Sequence, residues 1–203
     1  MSIFSKLFGK AAPSEPFVLA PVSEMMGEDP FWKIVAASIN GSGGDQDRQE
    51  AILINSLERL TPAEIVGFRL RTDKLLYDTY TSDMWCAGYL IKGGCSDDMF
   101  EYFRLWVISK GRDVYEKARA NPDSLSDQMD ENEEFYDFES FWYVALTAFK
   151  NKTGKELYDH IAYDNFKYGE GNYQQFDFTW EEEDPESMKK ICPRLFERFD
   201  NPR

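Results

Sequence analysis

Apolar residues recur at three- and four-residue intervals along most of the chain, the spacing of one helix face, and nothing before Asn121-Pro122 alternates with the period of a strand. The pattern starts at Asp29-Pro30, where Asp suits an N-cap and proline is tolerated at the first helical position. Phe31, Ile34, Val35, Ser38 and Ile39 form its stripe, and Asn40-Gly41 closes it. Past a GSGGD loop, Ile54, Leu57 and Leu60 predict a second helix with these residues inward. Thr61-Pro62-Ala63-Glu64 has the capping-box spacing and opens a third helix, with Ile65, Phe68, Leu75 and Leu76. Ser82 or Asp83 caps a fourth, carrying Met84, Trp85, Tyr89, Leu90 and Ile91 and stopped by Gly93-Gly94. Ser96 opens a fifth, with Asp97 and Asp98 in its first turn, Phe100, Phe103, Val107 and Ile108 on one face and Gly111 at its end. Val114, Tyr115 and Ala118 mark one more, before Asn121-Pro122. The longest stripe, Phe138, Phe141, Trp142, Ala145, Leu146 and Phe149, predicts a central helix ending near Gly154.

The pattern then weakens. Thr153-Gly154-Lys155-Glu156 repeats the capping-box spacing ahead of a short segment with Leu157 and Ile161. From Tyr163 to Trp180 aromatics stand among Gly, Asn, Gln and Asp without helical period, an irregular strap. Within it Gln175 to Trp180 has a composition suited to one short strand pair. Glu181 to Asp184 and Pro185 then start a last helix, with acids at the positive end of its dipole. At the other end, Ile3, Phe4, Leu7 and Phe8 make a small amphipathic turn, followed by a proline-rich tether. The prediction is an all-α, single multi-helix domain over residues 29–203, with an aromatic-rich C-terminal strap, behind an N-terminal turn and tether at 1–28.

Composition adds the character of the core. Aromatics make up 16% of the 203 residues, so the interior is expected to be aromatic rather than aliphatic. Cys86, Cys95 and Cys192 are too few and too scattered for a disulfide framework, and reduced thiols in the cytoplasm are the expectation. No apolar run spans a bilayer and the first residues lack the apolar region of a secretory signal, so no stable membrane insertion is expected.

Charge is more telling. The 37 acidic and 23 basic residues leave a formal net charge of −14. Residues 1–122 carry 17 acids and 14 bases, net −3, whereas residues 123–203 carry 20 and 9, net −11. Such a chain has no clustered Lys/Arg footprint for nucleic acid, and a basic protein partner suits it better. The densest acidic run, Asp130, Glu131, Glu133 and Glu134, reads as a solvated face or as a docking edge for that partner.

Candidate chemistry is sparse. His160 is the sole histidine, which excludes multi-histidine metal sites, and no Walker A loop or G-x-G-x-x-G pattern occurs. Lys92-Gly93-Gly94-Cys95-Ser96-Asp97-Asp98, with Glu101 one turn on, is the densest constellation. A helix start explains it fully, with Ser96 as cap and both aspartates near the dipole. The rival reading makes Asp97 or Asp98 with Glu101 an acid/base pair, or two oxygen ligands to Mg²⁺, in a carboxylate-dependent enzyme. A third reading places a small-ligand pocket near Trp85 and Tyr89. No cofactor or resident metal is called for, and catalysis is the less favoured class.

Taken together, Trp85, Tyr89, the run Gly93 to Asp98, Phe100, Phe103, Arg104, Trp106 and Gly111, then Asn121 to Leu125, Tyr143 to Ala145 and Thr153-Gly154, resemble the bacterial domain-of-unknown-function family 4240. The likeness covers about Asp29 to Gly154, with Pro193-Arg194-Leu195 as a further point, and omits the first 28 residues and the strap. It implies a bacterial, intracellular, mainly helical domain and supplies no cofactor or catalytic residue. Members look like small accessory proteins, some similar in size and acidity to immunity proteins that neutralise toxins delivered between bacteria. The functional expectation is therefore a protein-binding module, an immunity-type inhibitor that meets a basic toxin through its acidic surface.

Overall fold

A computed structural model describes residues 18–130, 136–169 and 172–199. The amphipathic turn at Ile3 to Phe8 lies outside these residues, as do Glu131, Glu133 and Glu134. The described chain is all-α. The helices are α1 (Glu28–Ser42), α2 (Gln46–Leu57), α3 (Pro62–Asp78), α4 (Ser82–Lys92), α5 (Asp97–Ser109), α6 (Arg112–Ala120), α7 (Val144–Thr153), α8 (Pro185–Ile191) and α9 (Pro193–Phe199), with 3-10 turns between some of them. No strand forms among the described residues. Gln175 to Trp180 joins no strand pair, and only isolated bridges occur among the described residues, at Val22 with Ile161 and at Glu181 with Asp184. No helix of the described residues is long and apolar enough to cross a membrane.

Local chemistry accounts for most helix ends. Thr61 accepts from the Glu64 amide while the Glu64 carboxylate accepts from the Thr61 amide at 2.8 Å, the reciprocal capping box. The Glu64 carboxyl is held below its ordinary pKa chiefly by the Thr61 hydroxyl, which donates to it at 2.7 Å, and next by the Thr61 amide. Gly93 and Gly154 end α4 and α7 with φ of 67° and 70°, left-handed values that favour glycine. Gly67 answers a different need. Its Cα side faces backbone, and a Cβ there would stand 3.1 Å from the Met26 nitrogen, which donates to the Gly67 carbonyl at 2.8 Å. Val22 is likewise stitched to the far end of the chain, donating to the His160 carbonyl and accepting from the Ala162 amide, each at 2.8 Å.

Five sequence expectations are corrected. Asp29 is not the cap of α1, which starts at Glu28 with Gly27 in that position. The cap of α4 is Thr81, which accepts from Met84 N, and this frees Ser82 for other partners. The helix expected from Phe138 opens as a 3-10 turn, Glu139–Tyr143, and becomes α-helical only at Val144. Phe138 has no side-chain acceptor to satisfy the first amides, so the entry tightens into three-residue bonds such as Phe141 N to Phe138 O. Thr153 does not open a segment with Glu156. Its hydroxyl turns back to the Phe149 carbonyl at 2.7 Å, and Glu156 instead pairs with Lys150. The last helix is two short ones, because Pro193 brings no N–H and forces Cys192 out of helical geometry at φ −128° and ψ 67°.

The core is aromatic. Phe31 stacks on Phe68 at 4.5 Å, Phe68 meets Phe141, and the fully buried Trp106 lies parallel to Phe103 at 6.0 Å. Around it α1 packs on α2, α7 on both α2 and α3, and α5 on α3, α4 and α6. The segment 172–183 then crosses the N-terminal half of α4, which is where the candidate site forms.

Candidate functional site

Trp85 and Tyr89 stand four residues apart on α4 and so share one face, one turn above the other. Gly88 lets that helix approach α5 closely, since a Cβ there would meet Phe103 at 3.2 Å. Trp85 is thereby backed by Phe100, stacked at 3.9 Å and 26°. Its other flank is covered by the strap. Ser82, freed from capping, accepts from the Thr179 amide at 3.0 Å and bonds the Thr179 hydroxyl, while its carbonyl takes the Trp180 indole N–H at 3.0 Å.

This anchoring sets four rings around one cleft. Phe178 meets Trp85 edge-on at 6.0 Å, Trp180 meets Phe178 edge-on at 5.6 Å, and Trp180 lies 5.2 Å from Tyr89. Trp85 and Trp180 are buried, whereas Phe178 leaves 56% of its surface in water. The chain then turns at once. Asp184 N donates to the Glu181 carbonyl and Glu181 N to the Ser187 hydroxyl, which puts the exposed Glu181, Glu182 and Glu183 on the rim. The cleft encloses about 400 Å³ and is lined by these four rings, the three glutamates and Cys95. The Trp85 indole N–H is buried and has no hydrogen-bond partner among the described residues, an uncommon state for a buried donor.

Chemically the arrangement favours positive over negative charge. Aromatic faces carry negative quadrupole charge, and three adjacent carboxylates add a field of the same sign. Covalent chemistry at Cys95 is disfavoured. Burial pushes its thiol up to about 11, against smaller downward pulls from Lys92 and Arg104, so it stays protonated at neutral pH.

The other sequence candidates do not converge on this cleft. Ser96 caps α5 at Met99 N, and Asp97 and Asp98 lie exposed in its first turn. Asp97 adds to the upward push on the Cys95 thiol, Asp98 adds to that on Tyr102 after burial and Glu139, and Glu101 favours the charged form of Arg104, so the three carboxylates do not bear on one common group. Among the described residues no group of three or more His, Cys, Asp or Glu side chains is placed to hold a metal ion. Asp130 is exposed, and its carbonyl accepts from the Tyr136 hydroxyl at 2.8 Å. His160 sits beside the Phe149 ring with Nδ1 3.3 Å from the Leu19 carbonyl.

Sequence reasoning singled out Trp85 and Tyr89, placed Phe178 and Trp180 in an irregular aromatic strap, and read Glu181 to Glu183 as helix-start acids. The signal was present in outline. Phe176, Phe178 and Trp180 alternate immediately before the only run of three glutamates, in a stretch with no helical period.

A family model described as a protein of unknown function, DUF4240, matches residues 26–151. No curated protein and no solved structure matches the chain. The matched span holds Trp85, Tyr89 and Cys95 and stops short of the strap, so the other half of the cleft comes from outside it.

Proposed function

The chain belongs to the DUF4240 family, whose function is unknown and whose membership carries no activity with it, and we propose that it is a protein-binding module that captures a basic partner. The observation that carries this reading is the cleft itself: four aromatic rings walled by Glu181, Glu182 and Glu183. An arginine or lysine side chain of the partner fits it by charge and by cation–π attraction, and the net −11 beyond residue 122 steers a basic protein toward it. The run from Asp130 to Glu134 extends the same bias as a docking edge. An immunity-type inhibitor that neutralises a basic toxin in the bacterial cytoplasm is the form of the module to which this acidity is best suited. A protein is the expected partner rather than nucleic acid, whose phosphates the acids would repel. The cleft's volume also suits a small cationic ligand, a second reading supported by the same rings.

The test is affinity capture from the native host with two baits, the wild type and the combined Glu181→Lys, Glu182→Lys and Glu183→Lys variant. The expected result is a stoichiometric basic protein held by the wild type and lost by the variant, with both baits equally helical by circular dichroism. Equal capture by both baits, or no stoichiometric partner for the wild type, would overturn the proposal.

A further inference from the structure

A second cavity lies on another part of the molecule, against α3. Arg69 is only 3% exposed, yet its guanidinium is incompletely used. Nε donates to Asp73 Oδ1 at 2.9 Å and Nη1 to the Trp142 carbonyl at 3.2 Å, and Nη2 has no hydrogen-bond partner among the described residues. Nor is Nη2 one of the unpartnered side-chain atoms sealed from solvent. Arg69 and Asp73 line a cavity of about 300 Å³ together with Trp142, Tyr158, Tyr163 and Phe166.

The geometry restricts what can fill it. The guanidinium carbon sits 3.4 Å over the Trp142 ring, so one face of the group is covered and its remaining donors point along its own plane. An acceptor must approach edge-on, the approach that a carboxylate makes to arginine. Asp73 offsets the buried positive charge, so the empty site is not an isolated cation, and it would repel a doubly charged phosphate more than a singly charged carboxylate. The aromatic walls suit a flat apolar body, and the volume is at the small end for ligand sites. Burial raises the pKa of the Tyr163 hydroxyl, with Tyr158 adding to that and Arg69 opposing it, which keeps it a proton donor at neutral pH.

We infer that this cavity is a binding site for a small aromatic carboxylate, its carboxylate on the Arg69 edge and its ring among Trp142, Tyr158 and Phe166. The site is independent of the glutamate-rimmed cleft on α4. The experiment is a titration of the full chain with benzoate and with indole-3-acetate, read by tryptophan fluorescence and thermal shift, with neutral benzamide as comparator. At least one carboxylate is expected to saturate, with benzamide weaker by about tenfold or more. Arg69→Gln and Gly169→Leu are each expected to weaken the carboxylate by about tenfold or more. Gly169 also lines the cavity and a Cβ on it meets nothing within 4 Å, so the second variant adds bulk at the lining without altering Arg69 or Asp73 themselves. Should Arg69→Gln fail to fold, the benzamide comparison and Gly169→Leu decide the matter. No saturable response to either carboxylate, equal affinity for benzamide, or undiminished binding by Gly169→Leu would overturn the inference.

Discussion

Trp106→Ala is expected to destabilise the protein by about 3–5 kcal/mol, a large part of the total that a domain of this size holds. Trp106 is fully buried and contributes three kinds of contact at once. Its ring lies parallel to Phe103 at 6.0 Å, receives the Tyr136 ring edge-on at 5.4 Å, and carries the Lys110 ammonium at 4.9 Å from its centroid. Truncation removes all three and leaves a void that rigid neighbours on α5 and in the 136–141 segment fill only in part. Urea denaturation followed by circular dichroism checks it: the midpoint should fall sharply with little change in slope.

Arg104→Ala is expected to cost about 2–4 kcal/mol and, unlike Trp106→Ala, to act first on the strap. Arg104 is 2% exposed, and Nη1 donates to the Leu76 carbonyl at the end of α3. Its guanidinium also lies 4.3 Å from the Phe100 centroid and 5.1 Å from that of Tyr173, which itself stacks on Tyr80 at 4.2 Å and 9°. Burial lowers the Arg104 pKa, while Tyr173 and Glu101 favour its charged form. The side chain thus ties the helical core to the strap that carries Phe178 and Trp180. Hydrogen exchange should rise in residues 172–180 before it rises in α3 or α5. Arg104→Met, which restores volume without the charge, should recover part of the stability and little of the strap protection.

The difference between these two residues shows what the sequence could and could not reveal. Trp106 belongs to a helix whose stripe is visible in one dimension, and local caps at Ser96, Thr61 and Gly93 mark where helices start and stop. Arg69 was silent and Arg104 entered only through the family resemblance, because an isolated arginine in a helix ordinarily lies at the surface. The entry to α7 misled because apolar spacing does not distinguish a 3-10 turn from an α-helical one when no cap is present. At the candidate cleft, the i, i+4 pair of Trp85 and Tyr89 was legible as one face. Its closure was not, since the bonds from Ser82 to Thr179 join residues 97 positions apart. Nothing in the local pattern around Ser82 distinguishes a strap anchor from a helix cap, and Thr81 taking the capping role decided between them.

The central claim is that the ring-walled, glutamate-rimmed cleft recognises a cationic side chain. The most direct measurement is a fluorescence titration of the wild type with a short oligoarginine peptide and a matched oligoglutamate, repeated with the three glutamates at 181–183 changed to lysine. The account predicts saturable quenching by oligoarginine alone, weakening as salt screens the carboxylates and lost in the charge-reversed protein. Quenching of equal strength in the charge-reversed protein, or no preference for oligoarginine over oligoglutamate, would contradict it.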